Sequence, residues 1–254
     1  MSPSDYLRAI LQREAVDSGI EAPLRRFEQR VEQLCAGWAG RHLLEIYPIG
    51  AFEKGMANRS GVGIDFVLSL SPQVPFTLHE IYESLFSALE RQELSPVRRP
   101  VAAGIRFDDV LVDIIPAKRE SIANDIHEIY SSRRAAPMKT NLTHHVLDAV
   151  EAGRQEEVRI LKLWRDQQGL DFPSFYLELT VVAALRRRPP GELSDNVWHV
   201  LGYLAQLFVA RGVLDPANAN NVVSDEMTAA QKMAIARAAA DTRSGIRPWS
   251  EIVT

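Results

Sequence analysis

Residues 50–70 read GAFEKGMANRSGVGIDFVLSL, and the fold is decided by how this stretch is read. Its first half is a turn punctuated by Gly50, Gly55, Gly61 and Gly63. Its second half, residues 64–70, is an apolar run that predicts a strand. A glycine-rich turn can bring backbone N–H groups up to a polyphosphate without side-chain obstruction. The strand carries one carboxylate, Asp65, among apolar neighbours. A second acid, Asp113, sits in VLVDIIPA at 110–117, another strand-like run. A buried carboxylate must find a partner, and acids on neighbouring strands can converge on divalent cations. Two such acids favour a functional reading over a structural one.

Working outward, residues 3–17 carry Tyr6, Leu7, Ile10 and Leu11 at helical spacing, and Leu24, Phe27, Val31 and Leu34 continue that pattern. Residues 42–49 shift to an extended run. Thr77 with Glu80 forms a capping box that opens a helix to about residue 91. Runs at 97–107 and 110–115 predict a hairpin across Asp108 and Asp109. Residues 118–139 read as a loop-rich connector, and everything beyond as helical, with helices near 142–152, 155–168, 174–187, 194–211 and 226–240. This gives an α+β chain: a mixed-sheet lobe at 1–139, an α-helical lobe at 140–254, and a ligand cleft between them.

Composition narrows the function. The chain has 254 residues, 46% of them hydrophobic, and a net charge of −4. Neutralising phosphates supplies most of the affinity of non-specific nucleic-acid binders, so this balance argues against long RNA or DNA as the main partner. A nucleoside triphosphate needs only a few cations. The single cysteine, Cys35, excludes an internal disulfide and a cysteine-based zinc site. No apolar run approaches the ~20 residues that span a bilayer, and MSPSDYLRAI lacks the features of a secretory leader. The expected setting is cytoplasmic, away from membranes.

The ordered set of turn, Asp65 strand and Asp113 strand resembles the DNA polymerase beta nucleotidyltransferase superfamily. That signature is a Gly-Ser turn, an acid-x-acid strand and a third acid on a later strand. RILKLWRDQQGLDFPSFYLELTVVAAL, at 159–185, resembles the helical lobe of the oligoadenylate synthetase, cyclic GMP-AMP synthase and bacterial CD-NTase branch, and DPANANNV at 215–222 resembles the segment before that branch's final helix. The likeness runs over about 46–240. It implies that Gly50 and Ala51 form the turn over a triphosphate, that Asp65 and Asp113 hold Mg²⁺ or Mn²⁺, and that Asp113 helps deprotonate the attacking hydroxyl. It further implies that Lys162 and Ser174 contact the donor triphosphate and that Phe175 stacks on the base. The implied activity is metal-dependent nucleotidyl transfer from a nucleoside triphosphate to a hydroxyl, giving a cyclic or linear nucleotide signal in bacterial defence, with room for a protein partner or effector. An RNA 3′-end nucleotidyltransferase is the weaker match, given the charge.

Three positions depart from that pattern. Gly63 stands where the first acid of the acid-x-acid pair is expected, Ala51 where the serine is, and Met56 where a small hydroxyl residue usually follows Gly55. A lost metal ligand of this kind costs on the order of 100–1000-fold in rate. The alternative function is therefore a catalytically inactive nucleotide-binding or scaffold protein of the same fold. Glu53, Asp108 and Asp109 are nearby acids, but acids in turns more often cap or stay solvated.

Other features have plain readings. Adjacent His144 and His145 face different directions and make a poor metal pair. Arg186, Arg187 and Arg188 close a helix, where cations meet the dipole favourably. Trp164, Phe172, Tyr176 and Trp198 lie in apolar patterns that suggest core packing.

Overall fold

The computed structural model describes residues 1–16, 21–61, 63–107, 110–133, 135–189, 191–245 and 247–254, with side chains throughout except at 21–25 and 219. Helices α1 (Pro3–Arg13) and α2 (Glu21–Ala39) lead into strands β1 (Leu43–Ile49) and β2 (Gly63–Leu70). Then come α3 (Leu78–Glu90), β3 (Val97–Arg98), β4 (Ala103–Phe107) and β5 (Val110–Arg119), followed by β6 (His127–Ser131) and β7 (Ala136–Thr140). The second half contains α4 (Leu142–Glu151), α5 (Gln155–Gln167), α6 (Ser174–Leu185), α7 (Leu193–Gln206), a hairpin of β8 (Leu214–Asp215) and β9 (Asn218–Val222), and α8 (Ala229–Arg243).

The main sheet has the order β1-β2-β5-β4-β3, with β6 beside the far end of β5 and β7 beyond it. β2 and β5 run parallel at its centre, and the other pairs are antiparallel. Central strands are covered on both faces, which is why residues 64–70 look nearly continuous in apolar character. Ile64, Phe66 and Leu68 join Val112 and Ile114 in a core with Phe27, Val31 and Cys35 of α2 and Leu85, Phe86 and Leu89 of α3. By strand alternation, Asp65 and Asp113 lie on the opposite face.

A second core joins α5, α6, α7 and α8 around Trp164, Tyr176, Val197 and Ile235. α1 packs here rather than on the sheet, burying Leu7, Ile10 and Leu11 against the helical half. Its start is fixed by a capping box between Ser2 and Asp5, and the expected box of Thr77 and Glu80 opens α3.

Several sequence expectations are corrected. The supposed connector at 118–139 holds the end of β5 and both strands β6 and β7. The signal was masked because β6 buries polar side chains: His127 and Ser131 alternate inward with Ile129, and His127 is satisfied by Ser69 and by the Asp125 carbonyl. The second half is not wholly helical, since DPANANNV forms the β8–β9 hairpin. α1 ends at Arg13, short of residue 17, and α8 begins at a Thr228–Gln231 capping box. The expected β4–β5 hairpin forms, although its tip at 108–109 lies outside the described residues, as does the side chain of Leu24.

Candidate functional site

The register of β2 on β5 pairs Asp65 directly with Asp113, so parallel strands place the two carboxylates side by side on one face. Two glycines make room for them. Gly50, at φ +85°, follows β1, and any Cβ there would overlap the Asp65 carboxylate. Gly104 lies opposite Asp113 on β4, and a Cβ there would fall 2.6 Å from Asp113 Oδ1. Both positions are therefore closed to larger residues by the acids themselves.

Burial disfavours the charged form of both acids. Burial, and then the charge of Asp113, push Asp65 up to about 7, partly opposed by Lys54 and Lys162. Burial also raises Asp113, against the pull of Arg99. Among the described residues, Asp113 Oδ1 has no hydrogen-bond partner.

Beside the acids lies a buried triad that joins the two halves of the chain. Glu178 of α6 accepts from Lys54 Nζ at 2.9 Å and from Lys162 Nζ at 2.7 Å. Lys162 also donates to the Met56 carbonyl at 3.2 Å. Burial works to raise Glu178, but the two ammonium groups outweigh it and hold the carboxyl below its ordinary value. Lys54 Nζ sits 5.1 Å from the centre of the Phe175 ring, and the His145 ring lies 4.6 Å from Phe175. His145 is held by the buried Asp215 carboxylate at 2.7 Å. Lys54, Met56, His145, Phe175, Glu178 and Val182 help line a mostly apolar cavity of about 330 Å³.

The structure thus brings together Gly50, Asp65, Asp113, Lys162 and Phe175. Ser174 is exposed at the start of α6, and its Oγ accepts from Arg165 at 2.9 Å. Ala51 packs against the helical core and Met56 is fully buried in it, so apolar residues at these two positions serve packing. The N–H groups of Lys54, Gly55 and Met56 are spent inside the turn, on the carbonyls of Gly50, Phe52 and Ala51. They are therefore not the donors a phosphate would meet. Glu53 is exposed, while Asp108 and Asp109 lie outside the described residues. Gly63 is on the face of Asp65, with the Leu111 carbonyl 3.8 Å from where its Cβ would stand.

Sequence reasoning passed over Lys54, Arg99 and Gly104 as site residues. Lys54 carried a usable signal, a cation within the glycine turn. Gly104 carried another, a glycine inside a strand, which often marks close approach.

Two hard carboxylate oxygens, one of them buried and without a hydrogen-bond partner, suit a single Mg²⁺ or Mn²⁺ whose remaining positions would be filled by phosphate and water. Among the described residues, no three His, Cys, Asp or Glu side chains converge as a metal cluster. The donors present therefore fit one divalent ion rather than a fully protein-held pair.

No protein-family model matches the chain, and no curated protein matches it in sequence. Solved structures do. The CD-NTase CdnG of Bradyrhizobium diazoefficiens, in complex with GTP, superimposes with a TM-score of 0.79 at 15% identity, covering 96% of this chain and 91% of that one. This chain has the polymerase-beta-type nucleotidyltransferase fold. CdnC of E. coli MS115-1, solved with ATP, matches with a TM-score of 0.75 at 18% identity over 94% of this chain and 89% of that one. The Cid1 poly(U) polymerase, bound to MgATP, gives a TM-score of 0.65 at 12% identity over 98% and 97% of the two chains. Among the described residues, no helix is long and apolar enough to cross a membrane.

Proposed function

We propose that this nucleotidyltransferase-fold protein binds a nucleoside triphosphate between its sheet and helical halves without turning it over, the missing acid at Gly63 having removed nucleotidyl transfer. The observation that carries this reading is the juxtaposition of Asp65 and Asp113 beside the Lys54–Glu178–Lys162 triad. Lys54 and Lys162 supply the positive charge for phosphates, and Phe175 in the adjoining apolar cavity supplies a face for a base. Ser174, exposed at the first turn of α6 and engaged by Arg165, would reach a phosphate only from the rim of this site. Asp65 and Asp113 hold one Mg²⁺ or Mn²⁺, which when bound neutralises phosphate charge. Ligand-bound structures of the same fold, holding GTP or ATP, support the ligand class.

A second reading, residual transferase activity, is favoured by one observation: both retained acids are adjacent and cleared of side-chain obstruction by Gly50 and Gly104. Asp113 would then accept the proton of the attacking hydroxyl, and the product would be a cyclic or linear nucleotide acting in bacterial defence in the cytoplasm. CdnC has been solved in complex with a HORMA protein, so a protein effector belongs to this reading. RNA-end transfer is the weaker option, because a net charge of −4 offers little to a long polyanion.

Incubation with labelled ATP, GTP, CTP and UTP plus Mg²⁺ or Mn²⁺ separates the two. Product lost in Asp65→Ala and Asp113→Ala establishes transfer and overturns the binding-only reading. No product from the wild type, with activity gained in Gly63→Asp, assigns the deficit to that one position.

A further inference from the structure

We infer that Arg99 is the resident counter-ion of Asp113 and competes with any divalent cation for that carboxylate. Arg99 Nε lies 3.6 Å from Asp113 Oδ1, close enough for an ion pair and too far for a hydrogen bond. Among the described residues, neither atom has a hydrogen-bond partner, although both are buried. Two buried, unpaired atoms of opposite charge 3.6 Å apart, with the rest of the Arg99 side chain reaching solvent, mark a contact that closes with a small movement.

Local structure aims the arginine. Its N–H donates to the Ala102 carbonyl at 3.0 Å, and its own carbonyl accepts from the Tyr82 hydroxyl at 2.9 Å, which fastens the backbone between β3 and β4. Gly104 opens the path: a Cβ there would stand 2.6 Å from Asp113 Oδ1 and 3.3 Å from Arg99 Nε, so any other residue would wedge the two apart. Lys54 and Lys162, the other buried cations near the pair, are engaged by Glu178. A guanidinium stays charged at every working pH, so Asp113 faces a permanent positive charge. A permanent cation here also fits Gly63. With Gly63 supplying no third acid, the guanidinium opposes only two carboxylates and lowers the negative potential that draws a divalent ion out of water.

The inference rests on Asp65 and Asp113 as the divalent-cation position, but its test uses no nucleotide. Mn²⁺ alone is titrated into the full chain, with free Mn²⁺ read by electron paramagnetic resonance and folding checked by circular dichroism. Arg99→Gln should bind Mn²⁺ at least about tenfold more tightly than the wild type, since it removes a unit charge at ion-pair distance. Arg99→Lys, which keeps the charge, should stay at the wild-type level, and the gained site should vanish in Arg99→Gln/Asp113→Asn. Unchanged or weaker Mn²⁺ binding in Arg99→Gln overturns the inference, as does a gain equally present in Arg99→Lys or surviving loss of Asp113. Failure of triphosphate binding, measured separately, would strike the proposed function and leave this result standing.

Discussion

Replacing Asp65 with Asn should stabilise the protein at alkaline pH and do little in acid. The native carboxyl is pushed from 3.8 up to about 7, first by burial and then by Asp113. The folded protein therefore holds this proton more tightly than the unfolded chain does, so the wild type loses stability as pH rises from about 4 to about 7. A displacement of roughly 3 units at ~1.4 kcal/mol each sets an upper limit near 4 kcal/mol above pH 7. Relaxation and water entry reduce such penalties, so about 1–3 kcal/mol is the expected size. Urea denaturation of both proteins at pH 4.5 and pH 8 measures it. The Asn variant should be the more stable at pH 8, and the gap should shrink towards pH 4.5. Only the pH-dependent part of the gap is diagnostic, because an amide and a carboxyl also differ in hydrogen bonding. A gap that stays constant, or a wild type that gains on the variant as pH rises, would refute the reasoning.

Other perturbations test neighbouring parts of the account. Glu178→Gln leaves two buried ammonium groups without their shared carboxylate and should cost about 3–5 kcal/mol in denaturant unfolding. Gly50→Ala, at φ +85° and overlapping Asp65, should cost at least ~1–2 kcal/mol, whereas Gly61→Ala, with nothing within 4 Å, should be close to neutral in the same assay. Gly63→Asp has room beside the Leu111 carbonyl at 3.8 Å, so it should fold and bind Mn²⁺ more tightly than the wild type in a direct titration. Burial lowers the imidazole of His127, so stability should fall as pH drops below the ordinary value of 6.5, and His127→Gln should flatten that slope in thermal melts.

The sequence made some of this legible and hid the rest for physical reasons. Asp65 and Asp113 stood out because a lone acid in an apolar strand is rare, and the Thr77–Glu80 box marked α3 because capping is local chemistry. β6 was missed because His127 looks like a solvent residue until Ser69 and the Asp125 carbonyl are seen beside it. Met56 read as a lost hydroxyl in a phosphate turn, yet its side chain is packed into the helical core. Glu178 takes one partner, Lys54, from the other half of the chain, and no local pattern predicts that contact. Arg99 and Gly104 depend on the register of β4 against β5, which pairs Gly104 with Asp113. Such register is settled by tertiary packing.

Triphosphate binding itself is the most direct test of the account. Calorimetric titration of the purified chain with ATP, GTP, CTP and UTP in the presence of Mg²⁺ should give saturable single-site binding for at least one of them. Lys54→Gln, which leaves Lys162 paired with Glu178, should weaken that binding by about tenfold or more. Absence of saturable binding for all four, or binding that Lys54→Gln leaves unchanged, would contradict the placement of a nucleotide in this site.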